Sequence, residues 1–324
     1  MNDQDNHSTV DGNSYLSKGM IGNNPVFAKE MRGLIRQKRL RMVLDFYLVI
    51  VAMITFVIYI SIISTNAITP DPDIRRTLGK IIFLSITLTQ LAAIIFIAPL
   101  FSADSITTEQ ENKTFDLLRI TSVSASSIVR GKLLAGIMFT LLLLLVSLPL
   151  QSSAYLLGGI TALEFSLTLL LLVTTTIFLC SVSIWASTRS RRTSSVMGLA
   201  YTITSAILLG FPMLAYVIIK LAPFPSDQAF FDAIHSTSKN LAPIPQIILI
   251  VVVWLLISTN PISTAIVSYN LFLDEGVRVL YNLDAYQIHV PILAPWITFI
   301  FIYLLTSWLF YRSSVRQIKQ SNKL

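Results

Sequence analysis

Long apolar runs alternate with short polar segments along most of the chain. A helix needs about 20 apolar residues to cross the roughly 30 Å hydrocarbon core of a bilayer. Six runs meet this requirement, and they predict membrane spans over residues 43–63, 81–101, 133–150, 163–186, 196–219 and 292–311. The segment between the first two spans, 64–80, is predicted to be a polar loop. The pattern therefore predicts an all-α membrane protein with six transmembrane helices.

A shorter apolar run, residues 247–257, lies between the fifth and sixth spans. As a helix it would cover only roughly 17 Å, which is less than the bilayer core requires. Pro243 and Pro245 precede it, and a second semi-apolar run, 262–273, begins directly after Asn260-Pro261. We therefore predict a re-entrant helical hairpin over residues 246–273 that turns at Asn260-Pro261, and not a seventh span.

The first 23 residues are polar and predict a disordered leader. Asn24-Pro25 then marks a helix start, because Asn is a favoured N-cap and Pro a favoured first helical residue. From there to about residue 41 one face is apolar and the other basic, which is typical of a helix at the membrane surface. An alternative, compatible interpretation is a basic anchor for the first span. The apolar face holds Phe27, Met31, Leu34 and Ile35; the polar residues assigned to the interface helix are Lys29, Glu30, Arg32 and Arg36, together with Pro25.

One polar stretch, residues 104–132, is enclosed by the second and third spans. Within it, Thr108-x-x-Glu111 has the pattern of a capping box, which predicts a helix beginning at Thr108. Glu109 would then lie near the positive end of that helix, and Phe115 and Leu118 would form an apolar face. A capped helix joined to two spans could transmit the movement of a soluble partner. The alternative is a solvated loop whose helix packs under its own bundle.

Composition and charge support a membrane protein. Hydrophobic residues make up 54% of the chain and charged residues only 13%, about half the share in soluble domains. The net charge is +7, and its distribution follows the predicted spans. With a cytoplasmic N-terminus, 18 of the 24 Lys and Arg residues fall in inside segments: seven before the first span, four in the central stretch, three at 189–192 and four in the tail. This bias predicts that both termini are cytoplasmic, and it argues against nucleic acid as a partner.

Several chemical functions are disfavoured by the residues themselves. His7, His235 and His289 are scattered and lack the spacing of zinc ligands. Gly131-Lys132 is followed by Leu133, so no P-loop for ATP is present. We therefore expect no catalytic residues, no metal and no cofactor bound by this chain. The spans are almost free of charge, which disfavours an ion-coupled carrier. Cys180 lies in an apolar run and is predicted to be a small lipid- or helix-facing residue.

A few polar residues lie inside the spans. Gln90, Gln151 and the run Thr174 to Thr176 could line a transport path. The alternative is that they make helix–helix contacts, which is the more common use of such residues in membrane proteins.

Two motifs resemble the type-2 ABC transporter permease family. Residues 24–32, NPVFAKEMR, are similar to the family's N-terminal helix, and residues 109–118, EQENKTFDLL, followed by Thr121-Ser122 and by Ile128 and Gly131-Lys132, are similar to its coupling-helix region. Ser122 departs from the family pattern, which usually has Pro at that position. Six spans with a re-entrant hairpin also match the family's architecture. The resemblance covers most of the chain from Asn24 onward.

The resemblance implies a multi-pass permease subunit in the cell membrane that forms a homodimer or a heterodimer with a second permease. ATP would be bound and hydrolysed by a separate ABC ATP-binding subunit, which would contact a coupling site formed by Thr108, Glu109, Glu111, Thr114, Phe115, Leu118, Gly131 and Lys132. The short outer segments favour export of a lipid-like, polymeric or peptide cargo over import. The alternative function is a non-transporting membrane scaffold or assembly factor that docks a soluble partner at the same stretch.

Overall fold

The structure, a computed structural model, is nearly all helical. It describes residues 25–36, 38–65, 72–112, 124–156, 160–190, 192–221, 243–274, 279–285 and 288–321. The helices are α1 (Pro25–Arg36), α2 (Lys38–Thr65), α3 (Pro72–Glu111), α4 (Ala125–Leu156), α5 (Ala162–Arg189), α6 (Thr193–Ser205), α7 (Phe211–Leu221), α8 (Pro243–Thr259), α9 (Pro261–Asp274) and α10 (Pro295–Ser321). A π-turn, Ala206–Gly210, joins α6 to α7.

In the part of the chain that the structure describes, five helical segments are long and apolar enough to cross a membrane. They are Leu40–Ser61, Gly79–Glu111, Ala125–Leu156, Ala162–Arg189 and Thr193–Ile218, and they cover the first five predicted spans. The bent pair α8–α9 would bring the number to six if it counts as one span. These segments support a multi-pass membrane protein.

The helices extend beyond the apolar runs that predicted them. The predicted loop over 64–80 is wrong for most of its length, because α2 continues to Thr65 and α3 already begins at Pro72. Hydropathy marks the part of a helix that lies in lipid, and it does not mark where the hydrogen-bonded helix ends. Helix α10 covers most of the predicted sixth span, 292–311, but is not among the five segments. Trp, Tyr, Thr and Ser residues lower the mean hydropathy of this helix.

Helix α5 lies at the centre of the bundle. Of its most apolar window 67% is buried, compared with 11% for the corresponding windows of α2 and of α6–α7. Its largest contact surfaces are with α3 and α10. The main core cluster joins Leu91 and Ile94 of α3, Leu172 and Leu179 of α5, and Phe299 and Tyr303 of α10. Helices α2 and α6–α7 therefore flank this core and face outwards.

Small residues allow α3, α4 and α5 to approach one another closely. A Cβ atom on Gly136 of α4 would lie 2.5 Å from Ser102 Oγ of α3 and 3.6 Å from Cys180 Sγ of α5. Only glycine fits the first of these contacts without displacing a neighbour. Cys180 is fully buried, so the helix-facing interpretation of this residue is confirmed. Close contacts between small residues are a common way to hold helices together in lipid.

Helices α8 and α9 meet at Asn260 with a bend of 109°, so the predicted turn at this residue is confirmed. Asn260 Oδ1 accepts hydrogen bonds from the backbone N–H groups of Ile262 (2.9 Å) and Ser263 (3.0 Å), and thereby caps α9. The Tyr303 hydroxyl of α10 donates to the carbonyl of Thr259 at 2.9 Å. The turn is thus fixed to the centre of the bundle.

The same asparagine also contacts the π-turn. Asn260 Nδ2 donates to the backbone carbonyls of Leu208 (2.7 Å) and Ile207 (3.3 Å). In a regular α-helix the Leu208 carbonyl would accept from the residue four positions later, which is Pro212 and has no N–H. The asparagine therefore supplies the donor that Pro212 removes.

A short antiparallel sheet precedes α10. It consists of β1 (Leu280–Ala285) and β2 (Ile288–Leu293), with Leu280 opposite Leu293 and Ala285 opposite Ile288. The all-α prediction is wrong here. The Trp254 indole of α8 donates to the carbonyl of Leu293 at 3.0 Å, and Tyr281 and Ile292 are buried. These contacts to the bundle stabilise a pairing that an isolated hairpin would hold only marginally.

Candidate functional site

Four helices bring charged ends together at one side of the bundle. They are α1, the last turn of α3, the second turn of α4 and the first turn of α6. Many of the residues that the sequence assigned to the coupling site or to the interface helix lie here, although the sequence placed these two sets in separate elements.

Lys132 is at the centre of this site. Its Nζ lies 3.0 Å from Glu30 Oε1 of α1 and 3.1 Å from Glu109 Oε2 of α3. Glu109 Oε1 in turn lies 3.2 Å from Lys29 Nζ of α1. The side chain of Lys132 is 0% exposed, Glu109 is 14% and Glu30 26% exposed, whereas Lys29 is 65% exposed. We call Lys29, Glu30, Glu109 and Lys132 the ion cluster.

The burial of Lys132 explains why the ion cluster exists. A charge removed from water is stable only when opposite charges and hydrogen bonds surround it. Ile106 of α3, Val129 of α4, Ile184 of α5 and Ile318 of α10 form an apolar cluster next to this point. The aliphatic stem of a lysine suits such surroundings, and the two carboxylates provide partners for the ammonium group. The ion cluster consequently joins α1, α3 and α4.

Glu111 connects the site to a fourth helix. Its Oε1 accepts a hydrogen bond of 2.9 Å from the backbone N–H of Thr193, the first residue of α6. The hydroxyl of Thr193 also donates to the Thr107 hydroxyl at 3.0 Å. Arg192, the N-cap residue, makes no side-chain cap of its own. Glu111 therefore caps α6 from a different helix.

The predicted capping box at Thr108 is wrong. Thr108 and Glu111 lie in the last turn of α3, and the N–H of Asn112 donates to the carbonyl of Thr108 at 3.0 Å as that helix ends. Glu109 and Glu111 consequently lie at the negative end of the α3 dipole, not at the positive end of a new helix. Each is compensated from outside: Glu109 by two lysines, and Glu111 by the N-terminus of α6.

The ends of the predicted coupling stretch, 104–132, are continuations of α3 and α4. Gly131 and Lys132 are buried in α4. Thr114, Phe115 and Leu118 lie outside the described residues. The structure thus brings Glu109 and Lys132 into direct contact and places Glu111 against α6. Thr108 is exposed at the end of α3.

Helix α1 carries Lys29, Arg32 and Arg36 of the predicted basic face. It covers Pro25–Arg36, whereas the prediction extended to residue 41; Lys38 begins α2. Val26 is buried, and Lys29, Arg32 and Arg36 are exposed. Its principal partner is α4. Glu30 is the residue of α1 that reaches Lys132.

A second polar group lies deeper in the bundle, between α3 and α4. Gln90 Nε2 donates to Ser147 Oγ (2.8 Å) and to Gln151 Oε1 (3.2 Å), and Gln151 Nε2 donates to Thr87 Oγ1 (3.4 Å). All four side chains are buried. We call Thr87, Gln90, Ser147 and Gln151 the amide cluster. The helix–helix interpretation of Gln90 and Gln151 is confirmed.

The threonines Thr174 to Thr176 of α5 are also buried, and their hydroxyls donate to carbonyls of their own helix, at Leu170, Leu171 and Leu172. Among the described residues no group of three His, Cys, Asp or Glu side chains could hold a metal ion.

The family described as ABC-2 family transporter protein matches residues 24–277. No curated protein matches the chain. The matched range includes α1, the ion cluster, Glu111 and the bent pair α8–α9.

Proposed function

The chain belongs to the ABC-2 transporter family, and from this membership we infer that it is the membrane-spanning permease subunit of an ATP-driven exporter. Members of the family are membrane components that normally work with an ATP-binding subunit. We propose that this chain binds no cofactor itself, that ATP is hydrolysed by a separate subunit, and that the permease acts as a homodimer or a heterodimer with a second permease.

The ion cluster is the single observation that carries the proposal. Three helices share one set of paired charges, and Glu111 adds the start of α6. A partner that pushes α1 or the stretch 104–132 would move α1, α3 and α4 together, because separating them would take the carboxylate partners away from the buried Lys132. Helix α6 would follow through its hydrogen bond to Glu111. This arrangement supports a coupling site in which movement of a soluble subunit changes the packing of the spans.

The charge distribution supports the orientation. The ion cluster, the basic residues at 189–192 and the C-terminal end of α10 belong to segments rich in Lys and Arg. By the positive-inside rule these segments and both termini are cytoplasmic. The exposed Lys29, Arg32 and Arg36 of α1 would then face anionic lipid headgroups and the ATP-binding subunit. In this orientation α8–α9 is a re-entrant hairpin that enters from the outer side.

Export of a lipid-like, polymeric or peptide substrate is the proposed direction. The segments assigned to the outer side are short, so they offer little surface for capturing a folded protein or a receptor. Among the residues the structure describes, the spans carry few charges at mid-depth, which supports a separate energy source over ion coupling.

The test uses the exposed basic face of α1, because substitution of the buried ion cluster would also disturb folding. Arg32→Glu with Arg36→Glu is compared with Lys220→Glu, an exposed charge reversal at the far end of α7. We expect the double variant to lose most of its bound ATP-binding subunit in co-purification and most ATP-driven transport in proteoliposomes, while the control retains both.

Two results would overturn the proposal. The first is a wild-type chain that purifies from its native membrane without any ATP-binding subunit. The second is a wild-type complex that hydrolyses ATP and moves no lipid or peptide, which would instead indicate the scaffold function.

A further inference from the structure

One exposed face of α10 is apolar over its first half and basic over its second half. The exposed residues recur every three or four positions, which places them in one stripe along the helix. The stripe consists of Phe301, Leu305 and Trp308, followed by Arg312, Arg316 and Lys319. On the opposite face, Phe299 and Tyr303 belong to the core that α10 shares with α5. The apolar half therefore lies at the depth of the spans, and the basic half begins where this lipid-facing surface ends.

The basic half lies on the same side of the bundle as the ion cluster. Ile318 of α10 packs in the apolar cluster that contains Ile106 of α3 and Val129 of α4. That apolar cluster adjoins Lys132, which is three residues beyond Val129. The change from apolar to basic along α10 thus marks one surface of the membrane.

Two guanidinium groups lie over tryptophan rings at this surface. The Cζ atom of Arg312 is 4.9 Å from the ring centroid of Trp308, and the Cζ atom of Arg189, at the end of α5, is 4.1 Å from that of Trp185. Arg189 Nη2 also donates to Ser313 Oγ at 3.4 Å, which connects the ends of α5 and α10. We call Arg189, Arg312 and Arg316 the arginine patch.

The tryptophans orient the arginine patch without occupying all its donors. A guanidinium meets an aromatic ring through its flat face, so the N–H groups at its edge can still bind the oxygens of a phosphate in a bidentate manner. Tryptophan is also enriched where the apolar part of a membrane meets the headgroups. The 50% exposed ring of Trp308 lies at such a boundary, between Leu305 and Arg312.

The arginine patch has no acidic residue nearby in its own elements. Helices α6 and α10 contain no Asp or Glu, and the acidic residue of α5, Glu164, is at the opposite end of that helix. Arg312 and Arg316 are four positions apart in α10, so their charges repel each other. Among the described residues the arginine patch forms no ion pair, whereas both lysines of the ion cluster do. An anion from outside the chain would provide the missing compensation.

We propose that the arginine patch binds the headgroup phosphate of an anionic phospholipid, in the leaflet on the side of the ion cluster. Arg312 and Arg316 hold the phosphate, and Arg189 adds a third positive charge. An acyl chain lies along the apolar half of the stripe, against Trp308 and Leu305. A zwitterionic lipid carries an ammonium group that the arginines repel, so the site prefers a lipid with net negative charge.

The continuous stripe favours a lipid over an acidic protein. A soluble protein would use only the basic half, and the exposed Phe301, Leu305 and Trp308 on the same face would have no part in its binding. A phospholipid uses both halves, because its phosphate and its acyl chains are joined in the same order as the basic and apolar residues. This inference rests on the location of the chain in a membrane and not on the proposed export function.

The test measures lipid binding to the full chain, purified in detergent without ATP or an ATP-binding subunit. Phosphatidylglycerol and phosphatidylethanolamine with identical acyl chains are titrated and followed by native mass spectrometry. We expect phosphatidylglycerol to bind at least about tenfold more tightly, because each basic residue near an anionic headgroup contributes roughly a fivefold gain. Glycerol 3-phosphate, which has the phosphate and no acyl chain, is expected not to displace it at equal concentration.

Three variants locate the effect. Arg312→Gln with Arg316→Gln removes two charges and should abolish most of the preference for phosphatidylglycerol. Arg312→Lys with Arg316→Lys keeps the charges but not the bidentate donors, and should give an intermediate preference. Lys220→Gln is the matched control, because it removes an exposed cation that also lies over a ring, 5.7 Å from the centroid of Tyr216, at the end of α7. The control should keep the full preference.

The proposal is overturned if the wild-type protein binds the two lipids equally, or if the glutamine double variant keeps its preference. A full preference in the lysine double variant would overturn the assignment of the phosphate to the guanidinium pair. Displacement by glycerol 3-phosphate would indicate a site for free phosphate instead. If the glutamine double variant binds lipid normally but loses the ATP-binding subunit in co-purification, the arginine patch belongs to that subunit. Failure of export in the separate transport assay leaves these outcomes unaffected.

Discussion

Helices α3 and α4 are joined at two levels, by the ion cluster near one end and by the amide cluster deeper in the bundle. Gln90 precedes Glu109 by 19 residues of α3, which is roughly 29 Å along the helix. The deeper contact uses only neutral groups, whereas the other contains two lysines and two glutamates. A charge at the bilayer centre costs at least about 2.5 kcal/mol, so charge is confined to the helix ends.

The difference also separates two mechanical roles. The amide cluster holds two spans, α3 and α4, to each other. The ion cluster includes α1, which is not part of any of the five span segments. In the proposed coupling function, a force on α1 would reach the bundle through these charges and through the packing of α1 on α4, and the neutral contacts would keep α3 and α4 aligned.

Among the variants that test this comparison, Lys132→Met is expected to have the largest effect on the free energy of unfolding. The substitution takes the Lys132 ammonium away from both Glu30 and Glu109, and breaking a buried pair typically costs about 3–5 kcal/mol. We expect a loss of this size in the free energy of unfolding, measured by SDS titration followed by circular dichroism. Lys29→Met is the control, with at most about 1 kcal/mol because an exposed pair contributes little. Equal losses in the two variants would show that burial does not set the strength of the cluster.

Asn260→Leu is expected to cause the second-largest loss in the free energy of unfolding. It leaves the carbonyl of Leu208 without the donor that Pro212 cannot provide and also removes the cap of α9. An unsatisfied buried acceptor costs about 1–3 kcal/mol, and a lost cap costs about 1 kcal/mol more. Hydrogen exchange of the amides at 206–214 should accelerate, and the same titration should show the loss. Thr202→Ala removes a hydroxyl that bonds within its own helix, to the carbonyl of Gly198, and should leave exchange at 206–214 unchanged. An effect as large as that of Lys132→Met would remove the distinction between charged and neutral contacts.

Gln90→Leu tests the amide cluster itself. Hydrogen bonds between membrane helices contribute on average about 0.6 kcal/mol and at most about 1.7 kcal/mol, so the expected loss lies in this range. Ser85→Ala serves as the control, because its hydroxyl donates only to the carbonyl of Ile81 in the same helix. A loss above that of Lys132→Met would contradict the ranking of the two clusters.

The smallest effect is expected for Glu111→Gln. Glutamine keeps an acceptor for the Thr193 N–H and removes only the favourable charge at the start of α6, which is worth about 0.3–1 kcal/mol. Glu111→Ala removes the cap entirely and should cost about 1 kcal/mol. The two variants are compared in the same titration at low and high salt. The difference between wild type and Glu111→Gln should shrink at high salt, whereas the difference between Glu111→Gln and Glu111→Ala should not; a salt-independent difference between wild type and Glu111→Gln would argue against a charge effect.

The apolar pattern predicted the first five spans because hydropathy reports directly on residues in lipid. It could not predict which charges meet. Lys132 and Glu30 are 102 positions apart, and neither local sequence contains a signal for the other. The capping-box pattern at Thr108 was misleading because Glu111 does cap a helix, but that helix begins at Thr193.

The remaining elements depended on tertiary contacts. The β1–β2 hairpin does have a local signal, because apolar residues alternate with polar ones at Tyr281, Leu283, Val290 and Ile292 as in a strand pair. The sequence signal for the π-turn is Pro212 inside an apolar run. The residue that stabilises the turn, Asn260, lies far along the chain, at the bend between α8 and α9.

The π-turn has a consequence for the outward surface of the fifth span. A π-turn holds one residue more than an α-helical turn, and each residue of an α-helix rotates the chain by about 100°. That extra residue therefore sets the direction in which one exposed stripe of side chains points. The stripe consists of Met213, Leu214, Tyr216 and Val217. Deleting a single position within 206–210 would keep a span of nearly the same length and hydropathy and turn a different set of side chains outwards. Relatives that lack both the proline and the asparagine are expected to need a one-residue gap here when the sequences are aligned.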